Sequence, residues 1–130
     1  MSDAAEPIVL ILDDDTGARE ALATLLREDG FPALAVAPGT LGDGSLKAYP
    51  QVAAAISVHR PKTRRLIERL VELRRARPRL AFFPVDADGD LEDRLRRGGI
   101  TPRRLFSSPL PYEELLAALR EVSDAPEEVS

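Results

Sequence analysis

The sequence predicts an α/β protein in which a parallel β-sheet is covered by helices on both faces. Five short apolar segments alternate with segments whose apolar residues recur at helical spacing. The first apolar segment, residues 8–12, is apolar at every position, as expected of a strand covered on both faces. Because right-handed crossovers place consecutive strands of such a chain parallel, the alternation favours a doubly wound sheet.

Each predicted element has its own local signals. The strands are expected at residues 8–12, 32–37, 52–58, 80–85 and 104–108. The helices are expected from Thr16 to the turn at Gly30, from about Thr63 to Arg77, from the DADGD segment at 86–90 to about Arg97, and from Pro111 to Val122. Asp15 or Thr16 can cap the first helix, because a short side-chain oxygen there accepts an unpaired backbone N–H. Residues 38–50 are rich in glycine and proline, so any helix there is short or irregular.

Length and composition predict one ordinary globular domain. The chain has 130 residues, of which 44% are hydrophobic and 31% charged. Cysteine is absent and histidine occurs once, which excludes disulfides, thiolate nucleophiles and cysteine-rich or histidine-rich metal sites. No apolar run approaches the roughly 18 residues of a membrane helix, and the N-terminus is acidic, so we expect a cytoplasmic protein without membrane insertion. The domain is expected to span residues 1–123, with 124–130 as a flexible acidic tail.

Charge is distributed unevenly along the chain. Residues 60–104 contain 14 basic and 7 acidic residues, whereas residues 1–59 contain 3 and 9, and residues 105–130 contain 1 and 6. The arginine-rich helix in the basic third could bind nucleic acid. Glu68 and Glu72 interrupt it, however, and aromatic residues make up only 5% of the chain. A solvated helix face is therefore favoured, an acidic protein partner comes second, and nucleic acid is not expected.

Three consecutive aspartates, Asp13 to Asp15, follow the first strand. Like charges repel and carboxylates avoid apolar surroundings, so such a cluster holds a cation, receives a positive side chain or faces water. In doubly wound sheets, ligands bind beyond the carboxyl ends of the strands, where the strand order reverses. We therefore expect the functional site at this end of the sheet, with Asp15 serving as the helix N-cap.

From residue 7 to 123 the sequence resembles a response-regulator receiver domain. The resemblance rests on the element order, on LDDD after the first strand, on Pro61 four residues after Ser57, and on Pro109 near the end of the fifth strand. It implies a flavodoxin-like sheet of strand order 2-1-3-4-5. In that family two acids after the first strand and an aspartate ending the third hold a divalent metal. That last aspartate accepts a phosphoryl group, and a hydroxyl residue, a lysine and an aromatic residue complete the site.

Most of these family positions are changed in this sequence. The acid pair, acceptor, hydroxyl, lysine and aromatic positions are, in that order, Asp13 and Asp14, Ser57, Asp86, Ser108 and Leu105. Phe106 is one residue out of phase and should face the other side of its strand. A serine does not replace the acceptor carboxylate, and without lysine no ammonium group neutralises phosphoryl oxygens. The resemblance therefore implies a degenerate receiver, or pseudo-receiver: a non-enzymatic protein of bacterial two-component signalling that acts by phosphorylation-independent protein contacts.

The charge of the degenerate site needs relief. Asp13, Asp14 and Asp86 carry a formal charge of −3 if all are ionised, with no lysine beside them. Mg²⁺ at Asp13 and Asp14, protonation of one carboxylate, or an arginine such as Arg60 folded over the cluster would each provide it. The sequence leaves these three possibilities open, and no cofactor is required.

Three other functions remain as alternatives. A phospho-receiver could use Asp86 as a non-standard acceptor. A small metal-dependent phosphatase could use Asp13 as nucleophile, because ILDDDTG partly matches the haloacid dehalogenase motif, although Gly17 stands where threonine belongs. Ser57 and His59 could form a hydrolase pair, but neighbouring side chains on a strand rarely converge, and we expect His59 in a loop.

The resemblance also implies a face for protein partners. In the family, the fifth strand and the helices on either side of it form the output or dimer face. The corresponding residues here are Arg94, Arg97, Arg104, Leu110, Tyr112 and Leu116, with Arg96 and Arg103 nearby. We expect a partner from a signalling pathway, or a second copy in a homodimer, to bind this face.

Overall fold

The structure is a computed structural model that describes residues 7–40, 51–61, 65–87 and 89–124. Within these residues, strands and helices alternate as the sequence predicts. They are β1 (Ile8–Leu12), α1 (Thr16–Glu28), β2 (Ala33–Val36), β3 (Val52–His59), α2 (Leu66–Ala76), β4 (Ala81–Asp86), α3 (Leu91–Arg97), β5 (Phe106–Ser107) and α4 (Tyr112–Asp124), with a 3₁₀ turn at Pro38–Thr40. No helix in the described parts of the chain is long and apolar enough to cross a bilayer.

The five strands form one parallel sheet of order β2-β1-β3-β4-β5, which confirms the predicted order. The order reverses between β1 and β3, so the carboxyl ends of these two strands border the crevice where ligands bind in such folds. In the register, Leu12 lies beside Ser57 and His59 lies beside Asp86. The residues that follow β1, β3 and β4 therefore meet at one edge of the sheet.

Helices cover both faces of the sheet, because each strand is apolar on both sides. On one face α1 and α4 pack against β-strand side chains including Ile11, Ile56 and Phe83. On the other face α2 and α3 pack against side chains including Leu10, Leu12 and Phe82. These two cores fix the positions of the strand ends and so of the candidate site.

Several element boundaries differ from the prediction. β3 extends to His59, one residue beyond the predicted end. β5 contains only two residues, although the backbone N–H of Arg103 already donates to the Phe82 carbonyl of β4. The 3₁₀ turn agrees with an irregular segment after β2, but residues 41–50 lie outside the described residues. α4 continues through Asp124, and the rest of the predicted tail also lies outside them.

Candidate functional site

Arg60 forms an ion pair with the acidic cluster at the end of β1. Its Nε donates to Asp13 Oδ1 at 2.7 Å and a terminal nitrogen donates to Asp13 Oδ2 at 2.8 Å. Asp13 is 2% exposed, whereas the Arg60 side chain is 36% exposed. The hydrogen bonds to Asp13 raise the pKa of Arg60 above its ordinary value. The buried carboxylate is thus paired by a fork-shaped group whose two donors match its two oxygens.

Backbone contacts hold Asp13 in this position. The backbone N–H of Asp15 donates to Asp13 Oδ1 at 3.0 Å, and Arg19 donates to the Asp13 carbonyl at 3.0 Å. Asp15 itself caps α1, because its Oδ1 accepts the N–H of Ala18 at 2.8 Å; this confirms the predicted N-cap. Asp14 is exposed to solvent. Of the three means of relief left open by the sequence, the structure shows the arginine.

Ser57, at the acceptor position, is fully buried and bonded to a histidine. Its Oγ lies 2.8 Å from Nε2 of His59, and the two residues are 0% and 1% exposed. Two expectations are therefore wrong: His59 is the last residue of β3 rather than a loop residue, and the two side chains do converge. Same-side residues on a strand are separated by about 6.6 Å, a gap that the long imidazole spans when it lies along the strand.

Burial keeps His59 neutral. Desolvation lowers the pKa of His59 from 6.5 to about 4; the nearby positive charge of Arg94 acts in the same direction, and Asp86 opposes them. Its Nδ1 is buried and has no hydrogen-bond partner among the described residues. At neutral pH the pair is therefore an uncharged hydroxyl and imidazole inside the domain.

Asp86, at the hydroxyl position, organises the loop after β4. Its Oδ1 accepts the N–H of Gly89 at 2.7 Å and its Oδ2 accepts the N–H of Leu91 at 3.2 Å. Asp90 stands at the N-cap of α3 but makes no side-chain capping bond, so Asp86 caps this helix from four residues earlier. The sequence prediction missed this role, although an aspartate three residues before a glycine is a usual signal of such a turn.

Two further positions of the predicted site, Leu105 and Ser108, lie on either side of β5. Ser108 is exposed, and its backbone N–H donates to the Asp86 carbonyl at 3.0 Å, immediately before a cis bond to Pro109. Phe106 is buried with Phe83 in the core beneath α1 and α4, while Leu105 packs on the opposite core. Phe106 and Leu105 face opposite sides of the sheet, as predicted, so no aromatic side chain occupies the family's aromatic position.

The expected interaction face is only partly available for contact. Leu116 is 4% exposed and belongs to the core, which corrects its place in the predicted face: it lies on the inward stripe of α4. Leu110 and Tyr112 are half-buried against the same core. The Tyr112 hydroxyl donates to Asp29 Oδ2 at 2.7 Å and so ties the start of α4 to the end of α1. Partial burial and this bond raise the pKa of Tyr112.

Most arginines of this face are paired within the domain. Arg94 lies 3.5 Å from Asp90, Arg96 pairs with Asp93 at 2.9 Å, and Arg104 pairs with Glu114 while stacking on the Phe106 ring. Arg97 is exposed. The acids of α3 precede its arginines by three or four residues, the spacing at which helical side chains meet. The face therefore carries mixed charge rather than the basic surface that a count of arginines indicates.

The residues at the strand ends do not fit a resident divalent cation. Both carboxylate oxygens of Asp13 are bonded to Arg60, and Ser57 replaces the third acid of the family site. Among the described residues, no group of three His, Cys, Asp or Glu side chains could hold a metal ion. A hard cation needs several oxygen ligands, and here the most buried of them is already satisfied.

Three solved structures with a similar fold are described as receiver domains or receiver proteins. A response regulator receiver domain protein from Clostridium thermocellum is 19% identical, with a TM-score of 0.76 over 91% of this chain and 94% of that one. A CheY-like receiver domain from Methanospirillum hungatei is 21% identical, with a TM-score of 0.73 over 92% and 95%. A receiver protein from Pseudomonas putida is 24% identical, with a TM-score of 0.68 over 92% and 99%.

No protein-family model and no curated protein matches the sequence. At these identities the structural likeness establishes the fold alone. The chain thus has the fold of a response-regulator receiver domain.

Proposed function

We propose that this protein is a receiver-like signalling domain that acts through protein contacts without taking up a phosphoryl group. One observation carries the proposal: the positions that would bind metal and accept phosphate are filled by an Arg60–Asp13 ion pair and by a buried Ser57–His59 pair. A site satisfied in this way holds one conformation without an added ligand. The state of the domain would then be set by association with a signalling partner or a second copy.

The buried serine is a poor acceptor despite its neighbouring imidazole. His59 is positioned as a base for Ser57, but its Nδ1 has no partner among the described residues that would orient it or stabilise a positive charge. Ser57 is 0% exposed, so a phosphoryl donor cannot reach its Oγ in this conformation. The lysine position is Ser108, which offers no charge to developing phosphoryl oxygens. The same features disfavour a serine hydrolase.

Two alternative acceptors are held by existing contacts. Asp86 binds two backbone N–H groups that shape the start of α3. Asp13 binds Arg60 through both oxygens. These bonds hold both carboxylates in place and withdraw electron density from the oxygens that would attack phosphorus. The phospho-receiver based on Asp86 and the phosphatase based on Asp13 are therefore less well supported than a domain without phosphoryl chemistry.

Exposure to acetyl phosphate and Mg²⁺, followed by intact mass measurement, tests the proposal. We expect no phosphoryl adduct, because the acceptor is buried and the cation position is blocked. A receiver domain with an intact acceptor aspartate, treated in the same way, serves as the positive control. A stoichiometric adduct on the wild-type protein would overturn the proposal, and its loss in Asp86→Asn, Asp13→Asn or Ser57→Ala would identify the acceptor. Turnover of a phosphomonoester that Asp13→Asn abolishes would establish the phosphatase instead.

A further inference from the structure

A groove of about 580 Å³ lies at the end of the sheet opposite the candidate site. It is formed where β3 and β4 begin, beside the end of α2 and the last turns of α4. Its lining includes Val52, Leu80, Val122, Arg77 and Arg79, and we call it the basic groove. The volume is within the range of about 300–1,000 Å³ that is usual for ligand sites. The proposed function assigns nothing to this end of the domain.

Two arginines, Arg77 and Arg79, line this groove. Residues 74–79 contain four arginines, and no acidic residue occurs between Glu72 and Asp86. Two of the four, Arg75 and Arg79, are exposed and make no ion pair or hydrogen bond with any described residue. This differs from α3, where arginines pair with acids one turn earlier.

The helix end does not account for this charge. Arginines in the last turn of a helix interact favourably with its negative end, which explains Arg74 and Arg75. Arg77 is already the C-cap residue and Arg79 lies beyond the helix. Arg77 also reaches the Val52 carbonyl at 3.5 Å, which fixes it beside the groove. The positive charge is therefore placed along the groove rather than only at the helix terminus.

We propose that the basic groove binds an acidic peptide segment of a partner protein, one that combines carboxylates with apolar side chains. The apolar lining from Val52, Leu80 and Val122 suits the apolar side chains, and guanidinium groups pair with carboxylates through two parallel hydrogen bonds. Nucleic acid fits less well. Among the described residues that line the groove, none is aromatic and able to stack on a base, and the chain as a whole carries a formal charge of −4.

Fluorescence anisotropy with a labelled peptide of alternating glutamate pairs and leucines tests this proposal on the full chain. We expect the wild-type protein to bind the peptide and the Arg79→Glu variant, which reverses a charge in the groove lining, to bind it about tenfold more weakly or worse. Arg65→Glu is the matched control, because it makes the same change of charge at an exposed position outside both the groove and the predicted interaction face. That control is expected to bind like the wild type, and added salt should weaken binding.

Other results would overturn the proposal. Absence of peptide binding by the wild type, or an equal loss in Arg79→Glu and Arg65→Glu, would exclude a specific site at the groove. Tighter binding of a labelled single-stranded oligonucleotide than of the peptide would assign the arginines to nucleic acid. Self-association in sedimentation that Arg79→Glu removes and Arg65→Glu does not would assign the groove to a second copy of the chain.

Discussion

Replacement of Arg60 with glutamine is expected to lower the free energy of unfolding by about 2 kcal/mol. The variant leaves the Asp13 carboxylate buried beside Asp14 without its two charge-assisted hydrogen bonds. Removing one partner of a buried ion pair typically costs about 3–5 kcal/mol, and the 36% exposure of the Arg60 side chain reduces the effect through solvent screening. Urea unfolding at neutral pH, with the midpoint and slope compared between the two proteins, measures the change.

Two further variants show that the ion pair is responsible. Arg97→Gln removes an exposed arginine and is expected to change stability by no more than about 0.5 kcal/mol. The double variant Asp13→Asn/Arg60→Gln should lose less than the sum of the two single variants, because each single change already breaks the same pair. If Arg60→Gln unfolds with the same urea midpoint as the wild type, the ion pair does not stabilise the domain.

Acidification is expected to destabilise the wild-type protein by up to about 3 kcal/mol through His59 alone. A tenfold difference in proton affinity between the folded and unfolded states corresponds to about 1.36 kcal/mol. The folded pKa of His59 is about 4, below its ordinary value of 6.5, so between these values the unfolded chain holds a proton that the folded protein does not. The unfolded state is therefore increasingly favoured as the pH falls. The contribution of neutral His59 to the free energy of unfolding is complete above pH 6.5 and is lost progressively toward pH 4.

A variant without a titrating side chain isolates this contribution. Urea unfolding of the wild type and of His59→Gln should be followed in steps from neutral pH to about pH 4. Carboxylates titrate in both proteins, so the difference between the two curves reports His59. We expect His59→Gln to have the shallower pH dependence. Parallel curves would mean that His59 is already accessible to protons in the folded state.

The parallel sheet follows from signals that are local in the sequence, whereas its strand order is implied by the resemblance to receiver domains. The fully apolar stretch at 8–12 and the alternation of strand and helix patterns predict a parallel doubly wound fold, and the structure confirms it. The N-cap at Asp15 is also predictable, because the capping bond joins residues only three positions apart. Such features depend on neighbouring residues and on steric rules that hold for every chain.

The contacts inside the candidate site are less predictable because they join distant or concealed groups. The Arg60–Asp13 pair spans 47 residues, so the sequence offers it only as one of three means of relief. The prediction that His59 lies in a loop is wrong because it assumes that a polar residue at a strand end faces water. Here His59 is 1% exposed and points to the same face of β3 as Ala55, which packs in the core formed by α2 and α3. Burial by a later helix cannot be read from the strand itself.

The ion pair at the end of β1 offers a physical reason for the proposed independence of phosphate. In the receiver family that the sequence resembles, a metal ion and a lysine supply positive charge to the acidic corner. Here Arg60 supplies it from within the chain, and Ser57 adds no charge that would need a cation. The corner is thereby complete in the absence of an ion or a modification. Under the proposed function, the binding of another protein is then the event that conveys information.

Melting of the wild-type protein in the presence and absence of millimolar Mg²⁺ tests most directly whether Arg60 occupies the position of the cation. A ligand that binds only the folded protein raises its stability according to its concentration relative to Kd, so an ion that does not bind leaves Tm unchanged. We expect the same Tm with and without Mg²⁺ for the wild type, and a Mg²⁺-dependent rise for Arg60→Gln, in which Asp13 and Asp14 are open to an ion. A saturable rise in the Tm of the wild type would contradict the assignment of that position to Arg60.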